Sequence, residues 1–218
     1  MFKLEEILLE LLELFSIKLS TLKLLGISFL AVALILFVLK AIALFKMSKT
    51  MDLKNAWISF VPFLSIISFG RISQKYVRKD GSNSAKFSVI LPLLYLLQTA
   101  LVGYFFTTLG KALYKTVNSV AQVMLEESEL TKDVFSSFVY VIILFLVLFG
   151  VAIAYQITYY VALWRIFAIF NEKNAGLFTV LGIFFSFLNP IFLFVIRNQK
   201  PKLTFAERLG IELEFLEQ

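Results

Sequence analysis

The 218-residue sequence contains no cysteine and no histidine. That absence excludes disulfide staples, thiol nucleophiles, Cys/His zinc sites, haem held through histidine, Ser-His-Asp triads and HExxH zinc-protease helices. No cofactor is expected. Charge is also scarce, at 17% of residues against roughly 25% in a soluble domain, whereas 60% are apolar against roughly 45–50%. With a mean hydropathy of +0.87, the chain would expose more apolar surface than water tolerates, so the solvent it is built for is a bilayer. Basic residues outnumber acidic ones, 21 to 15. In a membrane protein such a surplus marks cytoplasmic loops and contact with anionic lipid, and nucleic acid is not expected as a partner.

What the chain does have is long apolar runs. Those at 24–45, 87–110, 134–164 and 175–196 each reach the roughly 20 residues that carry a helix across ~30 Å of hydrocarbon. The third is 31 residues long, so it tilts strongly or projects beyond the lipid. A fifth run, 56–70, has only 15 residues and a central Pro62. It is expected to re-enter or lie at the interface, broken at the proline. No Asp or Glu lies in any of the five runs, which removes the carboxylate that proton-coupled transporters and intramembrane aspartyl proteases generally need.

Residues 1–23 read as an acidic amphipathic helix, with Leu4, Leu8, Leu11, Leu12 and Phe15 on one face and Glu6, Glu10 and Glu13 opposite. An acidic start and an interrupted apolar run are unlike a secretory signal. An anionic inner leaflet would repel the acidic face, so it belongs on the outer surface or in a protein groove. The loop 111–133 reads as an outward helix continuation with an acidic cap, and 203–218 as an amphipathic tail opened by a capping box from Thr204 to Glu207.

Shifted by 119 residues, the chain matches itself: Val32-Ala33 falls on Val151-Ala152, Ala43-Leu44-Phe45-Lys46 on Ala162-Leu163-Trp164-Arg165, and Lys54-Asn55-Ala56 on Lys173-Asn174-Ala175. An internal repeat, 31–70 and 150–196, is therefore expected within a membrane domain of residues 24–202. Each copy would be a spanning helix ending in a cation, a step to Asn, then an apolar segment.

Charge counting selects the topology. If 56–70 and 175–196 both dip in and return, with the N-terminus outside and the C-terminus cytoplasmic, 14 Lys and Arg lie inside and 6 outside. Five crossings give 10 on each side, hence no orientation. A rival in which 56–70 crosses, with the N-terminus inside, also gives 14 against 6, but treats the two copies differently. The expected fold is an all-α integral membrane protein of the plasma membrane with three full transmembrane helices plus two re-entrant or short membrane segments. Four to five spans form the alternative.

The candidate binding residues are Lys46 with Asn55 and Arg165 with Asn174. Two readings stand. These pairs either bracket an anionic headgroup on the cytoplasmic side, or they are structural, the cations ending helices and each Asn capping the next element. Lys40, the one formal charge inside the first run, is read as snorkelling toward Lys46 and the interface. Gln98 and Gln156, with Tyr155, Tyr159 and Tyr160 near the latter, are read as bonding across helices. Arg71, Lys75, Arg78, Lys79 and Lys86 surround an Asp80-Gly81-Ser82-Asn83 turn and form a topogenic loop.

The stretch Ala43-Leu44-Phe45-Lys46-Met47-Ser48-Lys49, followed by Lys54-Asn55-Ala56-Trp57 and Phe60-Val61-Pro62, resembles a family of small multi-spanning membrane proteins of Gram-positive bacteria. Tyr159-Tyr160-Val161-Ala162-Leu163-Trp164 and Asn189-Pro190 through Arg197-Asn198 look like its C-terminal half. That resemblance covers about half of the chain and implies no activity.

The leading functional expectation is a non-enzymatic membrane scaffold or accessory subunit whose partners are the bilayer and another membrane protein or a second copy. Alternatives are a small channel or transporter built on the repeat, and an enzyme acting on lipid through the basic corners. Because the native chain has no thiol, single cysteines report topology cleanly. Cysteines replacing Asp52, Ser82 and Glu172 should react with an impermeant maleimide from one face of the membrane and one replacing Asn118 from the other; Asp52 and Glu172 on opposite faces would break the repeat.

Overall fold

Helix formation is enforced along most of this chain, because in lipid every amide needs a partner and long Leu, Phe and Ile runs bring no competing polar side chains. The structure, a computed structural model, describes residues 19–77, 86–126 and 132–202. Residues 1–18 of the acidic helix expected over 1–23, the turn from Asp80 to Asn83 and the capping box at Thr204 lie outside the described residues, and residues 19–23 belong to the first long helix.

In order come α1 (Leu19–Thr50), a 3-10 turn (Ala56–Phe60), α2 (Ser65–Gln74), α3 (Phe87–Glu126), α4 (Lys132–Phe170), α5 (Glu172–Phe184) and α6 (Leu188–Ile196). Three of these helices are long and apolar enough to cross a membrane, over Lys23–Thr50, Phe87–Ser119 and Val134–Phe170. At 1.5 Å per residue, α3 and α4 reach about 60 Å, twice the hydrocarbon thickness, so they project beyond it.

Local chemistry explains each interruption. At the end of α1 the Leu53 N–H donates to the Ser48 carbonyl at 2.9 Å and the Asp52 N–H to the Lys49 carbonyl at 3.1 Å. This is a Schellman closure, with Asp52 at φ 52° in the left-handed position usually given to glycine. Asn55, at φ 62°, makes the second left-handed bend; short polar side chains tolerate that region best. Val61 is then extended, at φ −91° and ψ 118°, as the residue before a proline prefers. The run 56–70 is thus broken at Pro62, and α2 starts afresh beyond it. Between α4 and α5, the Asn171 side chain accepts the Asn174 N–H at 3.3 Å and restarts the helix.

The apolar segment 175–196 is long enough on paper to span, yet it is two short helices folded side by side. The Phe178 and Phe192 rings stack at 4.7 Å, Phe167 meets both edge-on at 5.6 and 6.3 Å, and the Lys202 N–H donates to the Ile169 carbonyl at 2.7 Å. The end of the segment therefore returns to its beginning. A similar return brings the Arg71 guanidinium within 3.3 Å of the Lys54 carbonyl and the Phe60 ring within 5.3 Å of Phe45.

The buried core gathers where these hairpins meet the long helices. It comprises Leu44 and Met47 of α1, Phe69 and Ile72 of α2, Leu91 of α3, Leu163, Ile166 and Phe167 of α4, and Leu193 and Ile196 of α6. The second hairpin arms pack on the long helices, α2 chiefly on α3 with lesser contact to α4 and α1, and α6 on α1. By contrast, residues 23–35 of α1 are all exposed, Phe29 by 75%.

Close approach is possible only where a side chain is missing. A Cβ at Gly70 would sit 2.5 Å from the Phe87 carbonyl oxygen, whereas one at Gly26 would meet nothing within 4 Å. Gly70→Ala should therefore lower stability by about 1–3 kcal/mol, seen as a lower melting temperature in detergent. Gly26→Ala should leave it unchanged or slightly raised.

Candidate functional site

The four residues singled out from the internal sequence match do not form two equivalent corners. Lys46 is exposed on α1 and Asn55 is exposed in its left-handed turn. Arg165 is only 5% exposed, with its guanidinium 4.4 Å from the Phe87 ring centre and 5.7 Å from that of Tyr76. Neither cation ends its helix, since α1 continues to Thr50 and α4 to Phe170. Asn174 is exposed within the first turn of α5, and the residue that caps that helix is Asn171. Asn55 does precede the 3-10 turn, but its side chain makes no capping bond. Lys46 faces the surroundings, then, while Arg165 is packed as a planar stem among rings.

The polar groups that do converge lie between α1, α4 and the α5–α6 hairpin. A recess of about 240 Å³ is lined by Lys40, by Tyr155, Gln156, Tyr159 and Tyr160 of α4, and by Ser186 and Asn189 of the hairpin. Sequence spacing explains the α4 contribution, because residues 155, 156, 159 and 160 share one helix face. Lys40 and Tyr159, which correspond under the shift of 119, meet here. The lysine Nζ is 5.8 Å from the Tyr159 ring centre and 5.6 Å from that of Phe69, and those two rings stack at 4.9 Å. The ammonium is half-buried over this stacked pair.

The hairpin supplies the other wall. Gly182 has no room for a side chain, because the Asn189 amide occupies that space. Its carbonyl accepts the Tyr160 hydroxyl at 3.2 Å and Asn189 Nδ2 at 3.3 Å. Tyr160 thus bonds across helices, tying α4 to the hairpin. Asn189 is 3% exposed and its Oδ1 has no partner. That oxygen was legible in the sequence only as the sole amide in an otherwise apolar run, next to a proline. Gln156 and Ser186 are exposed and form the mouth. No residue of 56–74 lines the recess.

Chemically the recess offers one ammonium and several hydroxyl and amide groups, while the unpartnered Asn189 Oδ1 is packed against Gly182. No acidic side chain is among its lining residues, and no group of His, Cys, Asp or Glu among the described residues could hold a metal ion. A second recess, about 310 Å³, lies between α3 and α4 and is lined by Lys111, Lys115 and Tyr140 among others; nearby, the Tyr104 and Tyr140 hydroxyls are 3.0 Å apart.

The unequal burial of the paired cations has a measurable outcome. Arg165→Ala should cost about 2 kcal/mol or more of stability, through lost stacking and packing. Lys46→Ala should stay within about 0.5 kcal/mol. Thermal unfolding of both variants in the same detergent checks the difference. No family model, no curated protein and no solved structure matches this chain.

Proposed function

We propose that this chain is a non-enzymatic integral membrane scaffold or accessory subunit of a bacterial plasma-membrane complex. It crosses three times, with α1, α3 and α4. The 3-10 turn with α2, and α5 with α6, are two re-entrant hairpins of one duplicated unit. The N-terminus is outside and the C-terminus cytoplasmic, the orientation that the positive-inside count favours when α1, α3 and α4 are the crossings.

The observation that carries this reading is the bare outer half of α1. Residues 23–35 have every side exposed, and the helix is joined to the rest chiefly through the 3-10 turn, α2 and α6 near its other end. In lipid, helices associate by close packing and small residues rather than by the hydrophobic effect. Open positions of that kind are available at Gly26 on α1 and at Gly103 and Gly110 on α3. Anchored at one end only, this half-helix stands as a rail along which another membrane helix can lie.

A second reading, a small channel or transporter built on the repeat, is favoured by one observation, the polar recess inside the bundle. It is limited by the recess drawing its lining from one hairpin alone. Transport would appear as solute flux in proteoliposomes that Lys40→Met abolishes.

For the leading reading, a photo-crosslinking residue at Leu30 should give one discrete adduct in native membranes, and the same partner should co-purify in fixed ratio in mild detergent. A chain that purifies alone, crosslinked only to lipid, overturns it.

A further inference from the structure

We propose that this chain is a wedge that favours, and adds to, membrane curvature in which the cytoplasmic leaflet is convex, as where the plasma membrane folds into the cell. This rests on the three-crossing reading above, in which the 3-10 turn with α2, and α5 with α6, enter from the cytoplasmic side and return.

The bends of the two hairpins lie at matching heights on the long helices. The Phe63 ring, beside the first bend, is 6.3 Å from that of Tyr95 on α3, which is 5.9 Å from that of Tyr155 on α4. Ser186, in the second bend, lines the same recess as Tyr155 and as Lys40 of α1. At 1.5 Å per residue these levels lie about 12 Å from Phe87 at the start of α3, about 15 Å from Arg165 on α4 and about 9 Å from Lys46 on α1. Half of the hydrocarbon thickness is ~15 Å. Each hairpin therefore descends through one leaflet and stops.

The chemistry of the hairpins matches acyl chains as their surroundings. Residues 55–70 and 174–196 carry no formal charge, and charge returns at the roots, with Lys54 and Arg71 on the first and Glu172, Lys173 and Arg197 on the second. Between the roots, Trp57, Phe63, Leu177, Phe184 and Phe187 are each more than half exposed. Such a surface is costly in water and at ease in lipid.

The other leaflet has no counterpart. Residues 23–35 of α1 are exposed throughout, and a Cβ at Gly26, Gly103 or Gly150 would meet nothing within 4 Å. Two hairpins, with helical arms about 10 Å across, thus enlarge one leaflet alone. Added cross-section spreads the leaflet that receives it, and is accommodated best where a bend has already spread that leaflet on its convex side.

The test uses the full-length chain in giant vesicles of phosphatidylcholine and phosphatidylglycerol, from which a narrow membrane tube is pulled so that the outer leaflet becomes convex. An impermeant fluorescent maleimide added outside marks, on Ser82→Cys, the copies whose hairpins enter the outer leaflet, and on Asn118→Cys the copies inserted the other way. Relative to a lipid dye, the first label should be enriched in the tube, by a ratio above one that rises as the tube narrows. The second should be depleted, with a ratio below one. Equal ratios for the two orientations overturn the proposal. Double variants separate this failure from failure of the re-entrant reading: Asp52→Cys with Ser82→Cys for the first hairpin, and Glu172→Cys with Lys200→Cys for the second. Copies labelled twice or not at all have both roots on one face, and equal tube ratios then refute the wedge alone. Copies labelled once overturn the re-entrant reading itself.

Discussion

Hydrocarbon supplies no hydrogen bond to an unpaired amide, so wherever a helix stops inside a membrane other protein groups must cover the gap. The apolar segments 56–70 and 175–196 are interrupted at Val61–Pro62 and around Phe185, and protein groups cover both interruptions. The Ser65 hydroxyl and N–H return to the carbonyls of Pro62 and Val61, both at 2.8 Å. The Gly182 carbonyl takes two side-chain donors. Because each break must be shielded, each hairpin's second arm lies against a long helix, and the buried core forms there rather than along the spans.

The same constraint sorts the cations by burial rather than by sequence position. Lys46 and Arg165 match under the internal shift, but only Arg165 lies under the start of α3, where Phe87 and Tyr76 cover it. The segment ending at α2 is followed by a loop and then α3, while the segment ending at α6 continues into the C-terminal residues. Two positions that match in sequence but have different neighbours do not form equal corners. Lys40 and Tyr159, by contrast, also match under the shift and do meet, at 5.8 Å between α1 and α4.

Aromatic rings do much of the joining. Phe69 on Tyr159, Tyr95 on Tyr155 at 5.9 Å, and Phe167 with Phe178 and Phe192 link α2, α3, α4, α5 and α6. Offset and edge-on ring pairs contribute about 0.5–1.5 kcal/mol each beyond their area. That matters in lipid, where burying a Leu against another Leu gains little over burying it against an acyl chain.

Composition and run length determined that this is a helical chain built for a bilayer, with four runs long enough to cross, and the count of basic residues reduced these to three; hydrocarbon thickness and amide pairing leave few other solutions for such residues. Pro62 announced its break, since a missing N–H and a restricted preceding residue act locally. The hairpin in 175–196 was not legible from length, because a run of 22 apolar residues is equally able to span or to fold back. Contacts between Phe178 and Phe192 and between Ile169 and Lys202 decide it. The site was legible in part: Lys40, Gln156 and the tyrosines were visible as polar residues in apolar runs. Their convergence with Asn189 and Ser186, and the burial of Arg165 but not Lys46, depend on which helices become neighbours, which is a property of the packed bundle and of no single segment.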